Sequence, residues 1–295
     1  MLNTLEAADA VARLAVCALV REVTLTPKPG LVDERSNGAH SDMDVTTFFA
    51  SAVALKPHFV ACARLGLAHG GNPVDAEFVR DLRCIGREAE LDMFDATNGV
   101  NTHKGANYSL SLMLAATGME LAQGAPLPFG PERSAHVLES VSQIGKAVLD
   151  EDLTRVRERK DAGEPLTHGE ALFLERGTTG IRGEAAAGYP ALRDILLPYL
   201  RTRSDGDSSD TLLRAMVRLM ATLEDTNLLH RGGTEGLSWA QAQATRVRDL
   251  DLGHSELVRE LRRLDAEFTR RNLSPGGTAD LISLGIYFAL LEGLM

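Results

Sequence analysis

A chain of 295 residues that is 44% hydrophobic and 24% charged has the composition of a globular protein and can bury a sizeable core. Its 31 basic against 41 acidic side chains give a formal net charge of -10, which argues against nucleic-acid binding and requires a local basic pocket for any anionic substrate. Cys17, Cys62 and Cys84 show no metal or disulfide spacing, and no secretory signal or membrane span is evident, so a reduced, cytoplasmic protein is expected.

Apolar residues at helical spacing predict a first helix over Leu5 to Leu25, stopped by Thr26-Pro27-Lys28-Pro29-Gly30. A polar loop from Asp33 to Asp44 contains Asn37-Gly38, His40 and Asp42. Asp44 reads as the N-cap of a helix from Val45 to Leu65 that Pro57 should kink or divide. Beyond Gly70-Gly71-Asn72-Pro73, a third helix covers Val74 to Thr97. Its acidic end carries Glu88, Glu90, Asp92 and Asp95, with Glu88, Asp92 and Asp95 sharing one face, either solvated or metal-binding.

Gly99 to Gly105 places Asn101, Thr102, His103 and Lys104 between two glycines, directly before an apolar run. A turn that opens a helix there offers free N–H groups, the positive end of the dipole and a lysine charge, and predicts a phosphate-binding corner. The plain alternative is a polar loop in which Asn101 or Thr102 caps the helix.

That helix runs to about Leu121, and after Gly124 to Pro131 another covers Glu132 to Leu149. Asp150 to Glu164 is almost entirely charged, an exposed helix or hairpin without catalytic meaning, and Thr167 with Glu170 suggests a capping box for a short helix ending near Gly177. Gly177 to Glu184 is a second glycine-rich polar turn, opening a helix to Leu200 that Gly188 to Pro190 interrupts. Arg201 to Asp210 reads as mobile and Leu212 to Leu223 as helical, leading into Glu224-Asp225-Thr226-Asn227 and His230-Arg231-Gly232-Gly233. Helices over Ser238 to Leu250 and Ser255 to Asn272 precede the loop Ser274 to Asp280 and a last apolar helix, Leu281 to Met295.

No segment alternates with period two, so the fold expected is all-α, a single domain over 1–295. Its loops combine glycine or proline with Lys28, Lys104, Arg182 and Arg231 beside Asp33, Glu184, Asp225 and Asp280. Cations and backbone donors suit a polyphosphate, and carboxylates suit the Mg²⁺ that a triphosphate brings. Walker, kinase, G-x-G-x-x-G, G-x-S-x-G and H-E-x-x-H patterns are all absent, so a site would be assembled from distant loops.

These loops resemble one family, the triphosphoribosyl-dephospho-CoA synthases. The resemblance lies in Leu25 to Asp33, Asn37 to His40 with Asp42-Met43, Gly99 to Gly105, Arg182 to Ala185, Asp225 to Asn227 with Arg231 to Gly233, and Asn272 to Gly277. One departure is Glu34-Arg35, where the family pattern has a basic residue directly after Val-Asp; if that residue touches phosphate, Arg35 must replace it.

The resemblance implies an all-helical pentosyltransferase that joins ATP to the 2′-hydroxyl of 3′-dephospho-CoA and expels adenine, with ATP as co-substrate and Mg²⁺ as metal. Its product would pass to a holo-acyl-carrier-protein synthase serving malonate decarboxylase or citrate lyase. On this reading Asp33, Glu184 and Asp225 are candidates for stabilising the ribose cation, accepting the hydroxyl proton or binding metal, with Glu90 a further metal ligand. Lys28, Lys104, Arg182 and Arg231 would hold the triphosphate, Asn101, Thr102, Asn227 and Ser274 would add polar contacts, and Gly232, Gly233, Gly276 and Gly277 would allow close backbone approach. His40 or His103 would protonate the departing base. No nucleic acid or membrane partner is expected, and a homodimer is the assembly considered. The alternatives are a metal-dependent hydrolase of a nucleotide or ADP-ribose-like glycosidic bond and a nucleotide-binding adaptor without turnover.

Overall fold

The structure is a computed structural model and describes residues 4–72, 74–166, 174, 179–204 and 206–295. The capping box expected at Thr167 and Glu170 lies outside the described residues. No strand occurs among them; the fold is all-α.

The first helix, α1 (Thr4–Thr24), buries the stripe Ala8, Val11, Ala12, Ala15, Ala18 and Leu19. Asp44 caps α2 (Val45–His69) through a reciprocal box with Thr47. α2 runs unbroken through Pro57. The carbonyl that loses its partner there belongs to Val53, a residue that is 71% exposed. Asp75 caps α3 (Ala76–Ala96), and α4 (Lys104–Ala122) follows.

α4 is apolar all round and sits against α1, α2, α3 and α5 (Pro131–Asp161). A Cβ on Gly66 of α2 would lie 1.9 Å from the Ala115 carbonyl oxygen of α4, so these two helices touch backbone to backbone. α5 is one 31-residue helix rather than a helix followed by a separate charged segment. Asp152, in its charged half, pairs with both Arg83 and Arg182, which ties that half to its neighbours.

A short helix, α6 (Gly180–Ala186), leads through a bend at Gly188-Tyr189 into a π-helical stretch (Ala191–Leu196) and α7 (Leu197–Arg201). Asp207 caps α8 (Ser208–Met220), so the end of the segment expected to be mobile is helical. α9 (Thr226–Asp249) also differs from expectation: His230 to Gly233 belongs to it, and Gly233 at φ 61 and ψ -163 kinks it there. α10 (His254–Arg270) carries an amphipathic stripe of Leu257, Leu261, Leu264 and Phe268. The last helix, α11 (Gly276–Leu291), starts within the expected loop and ends before the C-terminus. It packs against α1 and α4 as a second largely buried rod, and the Thr117 hydroxyl meets the Tyr287 hydroxyl at 2.9 Å. Among the described helices, α2 alone has the length and apolar composition to cross a membrane; it packs against α1, α3 and α4.

Candidate active site

The N-termini of α4, α9 and α11 meet at one place, and Asp225 holds two of them together. Its Oδ1 accepts the N–H groups of Asn227 (2.9 Å) and Leu228 (3.3 Å), capping α9. Its Oδ2 accepts the N–H (2.8 Å) and hydroxyl (3.1 Å) of Thr278, in the first turn of α11. Gly277 closes the joint: a Cβ there would sit 3.2 Å from Asp225 Oδ2.

Between these ends and α6 lies a cleft of about 600 Å³. Asn101, Lys104 and Gly105 line it from α4 and the turn before it, Thr179, Gly180, Ile181, Gly183 and Glu184 from the start of α6, Leu223 to Asn227 from the turn into α9, and Gly277, Asp280 and Leu281 from α11. Each long helix brings the positive end of its dipole, while Asp225 and Asp280 accept N–H groups of Asn227, Leu228, Thr278 and Ala106 in the first turns. The side chains have the opposite balance: Glu184, Glu224, Asp225 and Asp280 face the cleft with Lys104, the one cation among the described lining residues.

Burial raises the pKa of Asp225, and its backbone and hydroxyl donors pull against that shift. Burial likewise raises Glu184, whose Oε2 accepts the Ala191 N–H at 3.3 Å. Asp280 is pushed well above the carboxylate range by burial first, then by the charges of Asp225 and Glu22, while the Ala106 N–H pulls the other way. Its carboxyl presses on the start of α4, where a Cβ on Gly105 would fall 2.0 Å from Oδ2.

Lys104, Asn101, Glu184, Asp225, Asn227 and Gly277 therefore share this cleft. Lys104 also pairs with Glu90 at 2.6 Å, which brings Glu90 to the lip. Gly276 packs on Asn227, with Nδ2 2.7 Å from a Cβ position. Arg182 stands beside the cleft, over the Tyr108 ring and 3.0 Å from Asp152.

The other expected site residues lie in a separate network. Lys28 is buried against Glu22, and Asp33 accepts the N–H groups of Lys28, Arg35 and Ser36 at 2.9, 2.7 and 2.9 Å. His40 meets Ser274 Oγ at 2.9 Å through Nε2, and its Nδ1 accepts from Arg231 at 3.3 Å. Arg231 also donates to the Ala39 carbonyl and to Asn272. Gly232 packs against Leu273, and Gly233 supplies the kink in α9.

His103 is the N-cap of α4 but makes no capping bond through its side chain, and neither Asn101 nor Thr102 takes that role. Its Nδ1 lies 2.7 Å from Ser51 Oγ, and its ring stands edge-on to Phe48. His103 Nε2 and Thr102 Oγ1 are buried without a partner. Burial, with help from Lys28, lowers the His103 pKa to about 3, and burial with Arg231 lowers that of His40. Both environments favour the neutral imidazole.

Asp33, Glu90 and Asp225 do not form one cluster, and no group of three His, Cys, Asp or Glu among the described residues could hold a metal. On the acidic face of α3, Asp92 pairs with His58 at 2.7 Å. Among the cleft carboxylates, Asp280 entered the sequence reading only as one of the loop acids suited to Mg²⁺, and Glu224 had no role there. Asp280 stood in the last charged loop, but five positions into a helix whose start was misplaced; nothing local marked Glu224.

The model of the ATP:dephospho-CoA triphosphoribosyl transferase family matches residues 8–295. A Streptococcus equi subsp. equi protein named probable 2-(5''-triphosphoribosyl)-3'-dephosphocoenzyme-A synthase is 42% identical over 290 residues, covering 96% of this chain and 97% of its own. A Streptococcus mutans protein of the same name is 39% identical over the full length of both. A solved Archaeoglobus fulgidus structure is 19% identical with a TM-score of 0.47, covering 83% of this chain and 99% of its own, too distant to carry an argument.

Proposed function

The chain belongs to the ATP:dephospho-CoA triphosphoribosyl transferase family and makes triphosphoribosyl-dephospho-CoA, and we propose that the cleft between α4, α6, α9 and α11 is where it does so. Moving a triphosphoribosyl group leaves adenine behind, so the bond that breaks joins C1 of the ribose to the base. The triphosphate is a handle that must be gripped and left whole.

The convergence of three long helix N-termini on one cleft carries this reading. The positive ends of the helix dipoles and Lys104 hold the phosphate oxygens. The ribose gains positive charge as adenine leaves, which the cleft carboxylates stabilise. Glu184, half-buried with one oxygen on the Ala191 N–H, takes the proton of the attacking 2′-hydroxyl. Asp225, with four donors on its two oxygens, positions the helix ends.

Mg²⁺ belongs to the proposal in a limited form. The cleft's hard oxygen donors suit it, and a triphosphate-bound Mg²⁺ needs only one or two protein carboxylates beside phosphate and water. Glu90 at the lip is the residue we assign to it; bound there, the ion would neutralise phosphate charge. The hydrolase alternative has no support from the family or the relatives. Delivery to a holo-acyl-carrier-protein synthase for malonate decarboxylase or citrate lyase, a cytoplasmic location and a homodimer complete the proposal.

Mass spectrometry of the products from ATP, Mg²⁺ and 3′-dephospho-CoA, with a control lacking the acceptor, tests it. Adenine and an adduct that keeps three phosphates, both dependent on the acceptor, are expected. Adenine released without acceptor would overturn the transferase reading. Abolishing the activity by changes to the Arg231 network, with cleft variants unaffected, would overturn the location.

A further inference from the structure

Departing adenine needs a proton, and the two histidines that sequence suggested for this step do not line the cleft. The acid has to be sought among the residues that do. Glu184 and Asp225 already have assigned partners: Glu184 receives the Ala191 N–H, and Asp225 receives four donors from α9 and α11. Lys104 is turned to Glu90.

Asp280 also accepts one backbone N–H, from Ala106, but it stands apart in being set among acids rather than cations. It lines the cleft, its carboxyl is wedged against Gly105 at the start of α4, and no Lys, Arg or His among the described residues pairs with it. The charged and titratable groups around it are Asp225 on α9, Glu22 on α1 with its partner Lys28, Lys104 on α4, and Glu184 and Tyr189 beside α6. We propose that Asp280 is the general acid that protonates the adenine leaving from ATP, an assignment that rests on the transferase reading above.

As the bond between C1 and N9 breaks, its electron pair goes to the purine, which takes the Asp280 proton on a ring nitrogen. The acceptor's 2′-oxygen forms the new bond to C1 and gives its own proton to Glu184, so the two carboxyls end with their protonation exchanged and return to the start through solvent. Burial and the neighbouring acids favour the protonated form of Asp280, and the Ala106 N–H at the start of α4 fixes its position. A carboxylic acid beside ionised carboxylates is the arrangement by which one site supplies an acid and a base at the same pH.

The test compares Asp280→Asn with the wild type on two donors: ATP, and ATP methylated at N7, whose base leaves without a proton. Wild-type adduct from ATP and 3′-dephospho-CoA must come first, and its absence would fail the transferase reading itself. With ATP, the variant should lose about 10²-fold or more in kcat, the usual size of a general-acid contribution, with KM changed little. With N7-methyl-ATP the loss should be less than tenfold. Equal losses on both donors, or retained turnover of ATP, would overturn the assignment. Should the variant fail to fold, the wild-type pH profile decides: the rate with ATP falls as pH rises through the pKa of the acid while the rate with N7-methyl-ATP does not, and parallel profiles would refute the proposal.

Discussion

The loop from residue 26 to residue 40 and the cleft at the helix N-termini share glycines, a lysine and aspartates, yet they end in opposite states. In the loop, Lys28 closes on Glu22, Asp33 collects three N–H groups, and Asp265 takes the Gly30 N–H and the Ser36 hydroxyl at 2.9 Å each. Arg231 bonds His40, Ala39 and Asn272. In the cleft, Asp280 has no cationic partner among the described residues and Glu184 has one oxygen on a single backbone N–H. Burial with partners supplied makes a scaffold, because the desolvation cost is offset on the spot. Burial with partners withheld leaves groups whose charge a substrate can alter.

The hardest blow to that contrast should come from Lys28→Met. It leaves Glu22 ionisable and buried beside Asp33, with a cost of about 3–5 kcal/mol in urea unfolding. Adding Glu22→Gln should restore most of it, since the pair is then removed together. A small stability loss accompanied by a large loss of ATP affinity would instead put Lys28 in the cleft and erase the distinction.

His103 sharpens the contrast by its pH dependence. Its folded pKa of about 3 lies below the ordinary 6.5, so between those values the unfolded chain binds a proton that the folded chain refuses. The contribution is therefore present above pH 6.5 and lost as pH falls, by about 1.5–2 kcal/mol between pH 6.5 and pH 5 for a single group. Its partnerless buried Nε2 gives the physical reason, as no acceptor waits for a second proton. His103→Gln should flatten that part of the unfolding midpoint against pH; unchanged curvature would show the loss to come from other groups.

How far the sequence carried these distinctions follows from which forces are local. The apolar stripes of α1 and α10, the Asp44 cap and the corner before α4 are written in short-range spacing and were legible. Pro57 does not divide α2 and the segment 230–233 is helical, outcomes that depend on how exposed the helix is at Val53 and on a single kinked glycine, neither of which spacing encodes. The same holds for the site. Loop composition puts Asn101, Lys104, Glu184 and Asp225 in one group with Lys28, Asp33, His40 and Arg231; the first four line one cleft, and the other four bond to partners outside its lining. Their partners lie up to 235 residues away in sequence, as Asp265 does from Gly30, and the identity of a partner decides between scaffold and cleft.

Lys104→Ala makes the smallest and most informative change. Lys104 is 44% exposed and its bond to Glu90 is a partly solvated pair, so the fold should lose less than about 1 kcal/mol. ATP affinity measured by calorimetry should fall by about 1.5 kcal/mol, the low end for a charge-assisted hydrogen bond, because Lys104 must first leave Glu90 and stays screened by water. The difference between wild type and variant should shrink as salt is raised, which a packing effect would not do. If affinity is unchanged at every salt concentration, the helix N-termini hold the triphosphate without any lysine, and the cleft's charge contrast is carried by backbone alone.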